Sequence, residues 1–194
     1  MKKNIFEIIK TSKEIYNDGL VPGKSGNISA RFKKDDKDII AITPTSQSLC
    51  DLKQEDIVLV DLDGNILTNG IPSSEVGMHL EIYKKRDDVN AIVHTHSPYV
   101  TGFAFTDKKL KRFLGVGDLE KSEYLPYVEY QEPGSVELAK RATEELKDDV
   151  VVILNNHGII CVGENLKEAK LLAEFVENTA KIQFVSLMLN SAED

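Results

Sequence analysis

The sequence predicts one α/β domain over residues 1–194, on three observations. The chain has 194 residues, 41% hydrophobic and 29% charged, the size and balance of one globular unit. Short apolar, β-branched runs at 38–43, 57–61, 91–95 and 150–154 alternate with stretches of helical spacing at 2–18, 72–86, 134–146 and 166–189. No internal repeat, linker or low-complexity segment divides the chain. A formal charge of −8 argues against a general nucleic-acid surface and leaves room for a local cationic pocket.

Taken in order, residues 2–18 place Ile5, Ile8, Ile9, Ile15 and Tyr16 along one helical face, and Asp18-Gly19 ends that helix. The start resembles a signal peptide only superficially: Glu7 and Lys10 interrupt its apolar stretch and no small-residue cleavage site follows. No apolar run approaches membrane-spanning length. Cys50 and Cys161 form neither a C-x-x-C pair nor a disulfide framework, so they read as ordinary thiols in a reducing compartment. The expectation is a soluble cytoplasmic protein.

The Gly- and Ser-containing loop 21–27 feeds a short strand at 28–32. It is either a plain turn or a loop that aims backbone N–H groups and the Asn27 amide at an anion. A strand at 38–43 stops at Pro44, followed by the polar loop Thr45-Ser46-Gln47-Ser48. Runs 57–61 and 65–67 flank Leu62-Asp63-Gly64 as a hairpin. Pro72-Ser73-Ser74-Glu75 opens a helix to about residue 86, with Ser73 as N-cap. Such a start either caps itself or receives a phosphate. His79, four residues beyond Glu75, is a packing histidine or a fourth metal ligand.

The run Ala91-Ile92-Val93 leads into His94-Thr95-His96. Alternate strand residues share a face, so the two imidazoles point the same way and form half of a metal site. The chain has four histidines, and His157 follows another buried-looking strand, which nominates it as third ligand. Pro98 begins a short helix to 105, residues 107–124 form a surface excursion, and 125–130 form a strand. A helix from Gly134-Ser135 runs to about 146, strands follow at 150–154 and 159–162, and Asn165 with Glu168 caps a final helix at 166–189. Leu171, Leu172, Phe175, Val176, Ala180, Phe184 and Leu187 form its packing stripe.

Five motifs, Ser25-Gly26-Asn27-Ile28-Ser29, Ile42-Thr43-Pro44-Thr45, Pro72-Ser73-Ser74-Glu75, His94-Thr95-His96 and Asn156-His157-Gly158, occur in the order of the class II aldolase/adducin family. The chain resembles that family's fuculose-phosphate aldolase branch from about residue 5 to the final helix. The resemblance implies a three-layer α/β/α domain with a central, mainly antiparallel sheet, assembled as a homotetramer with active sites at subunit boundaries. It makes His94, His96 and His157 the ligands of one Zn²⁺ per chain, and Glu75 a resting ligand that becomes the acid/base. It gives Gly26, Asn27, Thr45, Ser46, Ser73 and Ser74 to the phosphate of a sugar-phosphate substrate, with Ser46 standing where the family usually has glycine. The implied reaction cleaves a phosphorylated ketose, such as L-fuculose 1-phosphate, to dihydroxyacetone phosphate and an aldehyde through a metal-stabilised enediolate.

The chain departs from that branch in two places. Gly115 stands near the position of a catalytic tyrosine, and no tyrosine follows Tyr130, so the tail Asn190-Ser191-Ala192-Glu193-Asp194 carries none. The second acid/base is therefore unassigned, with Asp118, Glu120, Glu123 and Tyr124 in the right region. Those carboxylates keep a methylthioribulose-1-phosphate dehydratase in view beside a pentulose-5-phosphate 4-epimerase, and a non-catalytic adducin-like module is the third reading.

Overall fold

The structure, a computed structural model, describes residues 2–112 and 122–191. Seven strands of the described residues form one sheet: β1 (Asn27–Lys34), β2 (Lys37–Ile42), β3 (Val58–Asp61), β4 (Ala91–Thr95), β5 (Tyr127–Val128), β6 (Val151–Leu154) and β7 (Gly158–Gly163). Their order is β3-β2-β1-β4-β7-β6-β5, antiparallel throughout except for the parallel β5–β6 edge. Among the described residues five α-helices cover it: α1 (Lys2–Asn17), α2 (Val76–Lys85), α3 (Pro98–Ala104), α4 (Val136–Glu145) and α5 (Leu166–Ser191).

Strand alternation divides the apolar side chains between two cores. Ile28, Ile39, Ala41, Val93, Ile153 and Cys161 face α1, α3 and α5. Ile40, Ile42, Ile92, Val152 and Ile160 face α2 and α4. The result is the expected α/β/α sandwich. His94 shares the parity of Ile92 and so points to the α2 side, one residue pair beyond the end of that core.

Several boundaries differ from the sequence reading, each for a local reason. Helix α2 begins at Val76 with Glu75 at its N-cap, because Ser73 is held by Thr43 and its hydroxyl accepts from the Glu75 N–H (3.3 Å) instead of capping the helix. The second arm of the expected hairpin is reduced to a bridge between Val60 and Ile66, since Asp61 draws the turn onto its own carboxylate through Asp63, Asn65 and the Asn65 amide. The strand at 125–130 shrinks to Tyr127–Val128: it is a sheet edge, and Pro126 has no N–H to give.

The stripe expected on α5 is only partly the one that packs. Ala169, Ala173, Val176, Thr179 and Ala180 are buried, whereas Leu171, Phe175, Phe184 and Leu187 are 38–48% exposed. Small side chains let α5 lie close to β7, where a Cβ on Gly163 would meet the Ala169 nitrogen at 3.0 Å. That close approach turns the bulkier residues outward. Both cysteines are free, Cys161 fully buried and Cys50 half-buried. Among the described residues no helix is long and apolar enough to cross a membrane.

Candidate active site

The three histidines converge at the ends of β4 and β7. His94 is the penultimate residue of β4, His96 lies just past the strand's end, and His157 occupies the β6–β7 turn after Asn156, whose φ of +55° bends the chain back. Their ring centroids are 4.8, 4.8 and 5.0 Å apart, and the rings meet edge-on at 72–80°. One ligand nitrogen from each lies within 4.8 Å of the others. Glu75, only 6% exposed, closes the group from the start of α2: its Oε2 is 3.0 Å from His94 Nε2 and its Oε1 is 3.4 Å from His157 Nε2.

The donor chemistry of this group fits a cation. His94 Nδ1–H donates to the Ile159 carbonyl (2.8 Å), which leaves Nε2 as the ring's lone-pair nitrogen. That lone pair faces a carboxylate oxygen at 3.0 Å and His96 Nε2 at 3.0 Å. Electron pairs that converge this way call for a positive centre between them, a metal ion or, in its absence, a proton on His94 Nε2. Three nitrogens and one oxygen suit a divalent ion of the zinc type. Burial pushes His96 down to about 3 and His157 down to about 4, aided by the neighbouring His94, so both keep their lone pairs available. Burial opposes charge on Glu75, but His94 and His157 together hold its carboxyl well below the usual range. Burial also works against protonation of His94, and Glu75 more than reverses it, raising its pKa.

Behind the histidines runs a second set of contacts. Asn27 Nδ2 donates to Glu75 Oε2 (2.9 Å), and Asn27 Oδ1 lies 2.6 Å from His79 Nε2. His79 Nδ1 lies 2.7 Å from Ser29 Oγ, which lies 2.7 Å from Tyr83 OH. His79 is fully buried and outside the metal-ligating group, so of its two sequence readings the structure supports packing. The Asn27 side-chain amide is engaged at both ends, by Glu75 and by His79.

The other residues expected to hold a phosphate lie on three loops that are stitched together. Thr43 joins the first to the second, its N–H donating to the Ile28 carbonyl and its hydroxyl accepting from the Ile28 N–H. Thr45 N–H donates to Ile71 and Ser73 N–H to Thr43, joining the second to the third. Gly26 has φ +74°, and a Cβ there would meet the His94 carbonyl at 2.8 Å. Ser46 has φ +58°, the left-handed conformation that favours glycine. Ser73 is buried and Ser74 exposed, with the Ser74 carbonyl pressed against Gly134.

Of the residues considered for the second acid/base, Asp118 and Glu120 lie outside the described residues, as do Gly115 and the tail 192–194. Glu123 is exposed and paired with Lys111 at 2.7 Å, and Lys111 also sits over the Tyr124 ring. Sequence reasoning missed the partnership of Ser29 and Tyr83 with His79, and the close approach of Gly158 to Thr95 and His96.

Comparisons with known proteins agree with this architecture. The family model described as "Class II Aldolase and Adducin N-terminal domain" matches residues 6–184. An L-fuculose phosphate aldolase of Methanococcus maripaludis is 41% identical over 182 residues, covering 94% of this chain and 97% of the relative. A 3-oxo-tetronate 4-phosphate decarboxylase of Haemophilus influenzae is 32% identical over 184 residues, covering 91% of this chain and 85% of that protein. A solved L-fuculose 1-phosphate aldolase superposes with a TM-score of 0.87 at 32% identity, covering 97% of this chain and 88% of that one.

Proposed function

We infer, from the premise that the chain belongs to the class II aldolase and adducin family and is an enzyme of its aldolase class, that it is a zinc-dependent aldolase of phosphorylated ketoses. Its proposed substrate is L-fuculose 1-phosphate or a close analogue, cleaved to dihydroxyacetone phosphate and an aldehyde. The observation that carries the reading is the Glu75 carboxylate set against the His94 and His157 nitrogens of the three-histidine group, one oxygen held by Asn27 and the other without a hydrogen-bond partner.

His94, His96 and His157 would hold the metal, with Glu75 as its displaceable fourth ligand. A zinc ion bound there supplies a Lewis acid for the carbonyl and neighbouring hydroxyl oxygens of a ketose. Glu75 then does the protein's proton chemistry: ionised at rest, it takes or returns a proton at the carbon beside the ketone. The loops of Gly26, Thr45-Ser46 and Ser73-Ser74 bind the phosphate, and Asn27 belongs to that wall through its backbone. Anchoring this unreactive end positions the reacting carbons over Glu75. Residues 1–194 act as one domain in the cytoplasm. The outward apolar face of α5, with Phe184, Leu187 and Met188, supports assembly into a homotetramer.

A second reading draws on the decarboxylase relative, because losing carbon dioxide beside a ketone generates the same kind of carbanion. Incubating the zinc-loaded protein with fuculose 1-phosphate, methylthioribulose 1-phosphate and a 3-oxo-tetronate 4-phosphate separates aldolase, dehydratase and decarboxylase. Release of dihydroxyacetone phosphate is the expected result. Its absence with every ketose phosphate tried sinks the aldolase reading.

A further inference from the structure

Strand β1 and helix α2 run side by side with matched spacing. Asn27, Ser29 and Arg31 alternate along one face of β1, a step of about 6.6 Å for every two residues. Glu75, His79 and Tyr83 follow one another at intervals of four along α2, a step of about 6 Å. The near-equal steps let the two elements interlock. Asn27 sits between Glu75 and His79, Ser29 sits between His79 and Tyr83, and Arg31 lies under the Tyr83 ring while its guanidinium donates to the Tyr83 carbonyl.

The proton positions in this ladder follow from its lower end. An ionised carboxylate only accepts, so Asn27 must present its NH₂ to Glu75 and its oxygen to His79. His79 therefore carries its proton on Nε2 and donates to Asn27. A neutral ring then has a bare Nδ1, which accepts from the Ser29 hydroxyl. Ser29 has its own oxygen left to accept from Tyr83 OH. Every donor points towards Glu75. All four residues behind it are at most 4% exposed, so water cannot substitute for a lost member. Burial with no carboxylate in direct contact keeps His79 neutral, pushed down to about 3.

We propose that Asn27, Ser29, His79 and Tyr83 are positioning residues: a one-way hydrogen-bond relay, Tyr83 to Ser29 to His79 to Asn27, pins Glu75 Oε2 and leaves Oε1 as the working oxygen. This rests on the reading of Glu75 as the acid/base. The two oxygens are already unlike. Oε2 accepts from Asn27, whereas Oε1 is buried without a hydrogen-bond partner and faces His157. Without the His79 donor the Asn27 amide is held from the Glu75 side alone, and its buried oxygen is left unpaired, which lets the amide turn. Its flipped form would set an oxygen against the carboxylate and rotate Glu75 out of register.

Two measurements test the relay separately from the reaction. Nitrogen-15 NMR of histidine-labelled, metal-free protein should find His79 protonated at Nε2 and bare at Nδ1; the opposite tautomer or an imidazolium overturns the relay. In the zinc-loaded full chain, His79→Met keeps the bulk and removes the donor, whereas His79→Gln restores an N–H towards Asn27. The Met variant should lose about 10–100-fold in kcat, as loss of such supporting partners typically does, with KM and zinc content unchanged. The Gln variant should recover most of that loss. Equal activity in Met, Gln and wild type, or an equal fall in both variants together with lost zinc, reduces His79 to packing and overturns the proposal. A wild type that cleaves no ketose phosphate refutes the acid/base reading instead, and the tautomer then decides the relay alone.

Discussion

Gly158 lies directly against Thr95 across the β4–β7 pair: a Cβ at 158 would collide with the Thr95 carbonyl oxygen and come within 2.9 Å of His96 Cδ2. The absence of a side chain is what lets the His157 turn close over the His94–His96 strand end. Gly158→Ala should therefore spread the histidines and destabilise the fold by about 1–3 kcal/mol, the usual range for overpacking. Zinc titration and thermal unfolding read the two effects, and unchanged metal affinity in a well-folded variant contradicts this account.

Ser46 sits at φ +58°, where a β-carbon is strained. Replacing it with glycine removes that strain but loosens the unfolded chain, and the two effects partly cancel. Ser46→Gly is expected to leave stability unchanged or raise it by up to about 1 kcal/mol. It should also tighten binding of inorganic phosphate by opening the loop to its backbone N–H groups. Weaker phosphate binding would mean that the Ser46 hydroxyl itself is a donor.

Metal binding should be visible as stability. Zinc at about a thousand times its Kd stabilises by about 4 kcal/mol, and for a chain of this size that raises Tm by roughly 10 °C. Chelation should reverse the shift, and His96→Ala should abolish it along with the bound zinc. A wild-type Tm indifferent to zinc and chelator removes the metal centre from the account.

The metal-stripped protein should lose stability on mild acidification. His79, His96 and His157 are held by burial well below the ordinary 6.5, at about 3, 3 and 4. The unfolded chain therefore binds more protons than the folded one between about pH 6.5 and 4, so stability falls as pH falls through that window. His94 acts the other way, because Glu75 lifts it against burial; its contribution is present below 6.5 and lost as pH rises through its folded value. Three groups outweigh one, each contributing at most about 1.4 kcal/mol per pH unit. Tm should drop between pH 6.5 and 5, less steeply in His79→Gln. A flat profile contradicts the buried neutral histidines.

Much of this arrangement is legible in the chain. The His94-x-His96 spacing, the β-branched run before it and the scarcity of histidines point to one cluster, because strand period alone puts 94 and 96 on one face. The i, i+4 series Glu75, His79, Tyr83 and the i, i+2 series Asn27, Ser29, Arg31 are equally visible as periodicities. That they mesh is not visible, since it depends on which face of β1 receives α2. For the same reason the glycine-bordered loop does not reveal that the Asn27 amide goes to Glu75 and His79.

On α5 a hydrophobic stripe is predicted from size and spacing, yet the sheet accepts the alanine side because only small residues permit the approach to Gly163. The sequence by itself determined the elements, the chemistry-bearing residue types and their local periodicity, which follow from short-range sterics and patterning. Only the tertiary structure decided which periodic face meets which. That choice is made by packing between elements dozens of residues apart: β1 against α2, β4 against β7, and the small face of α5 against the sheet.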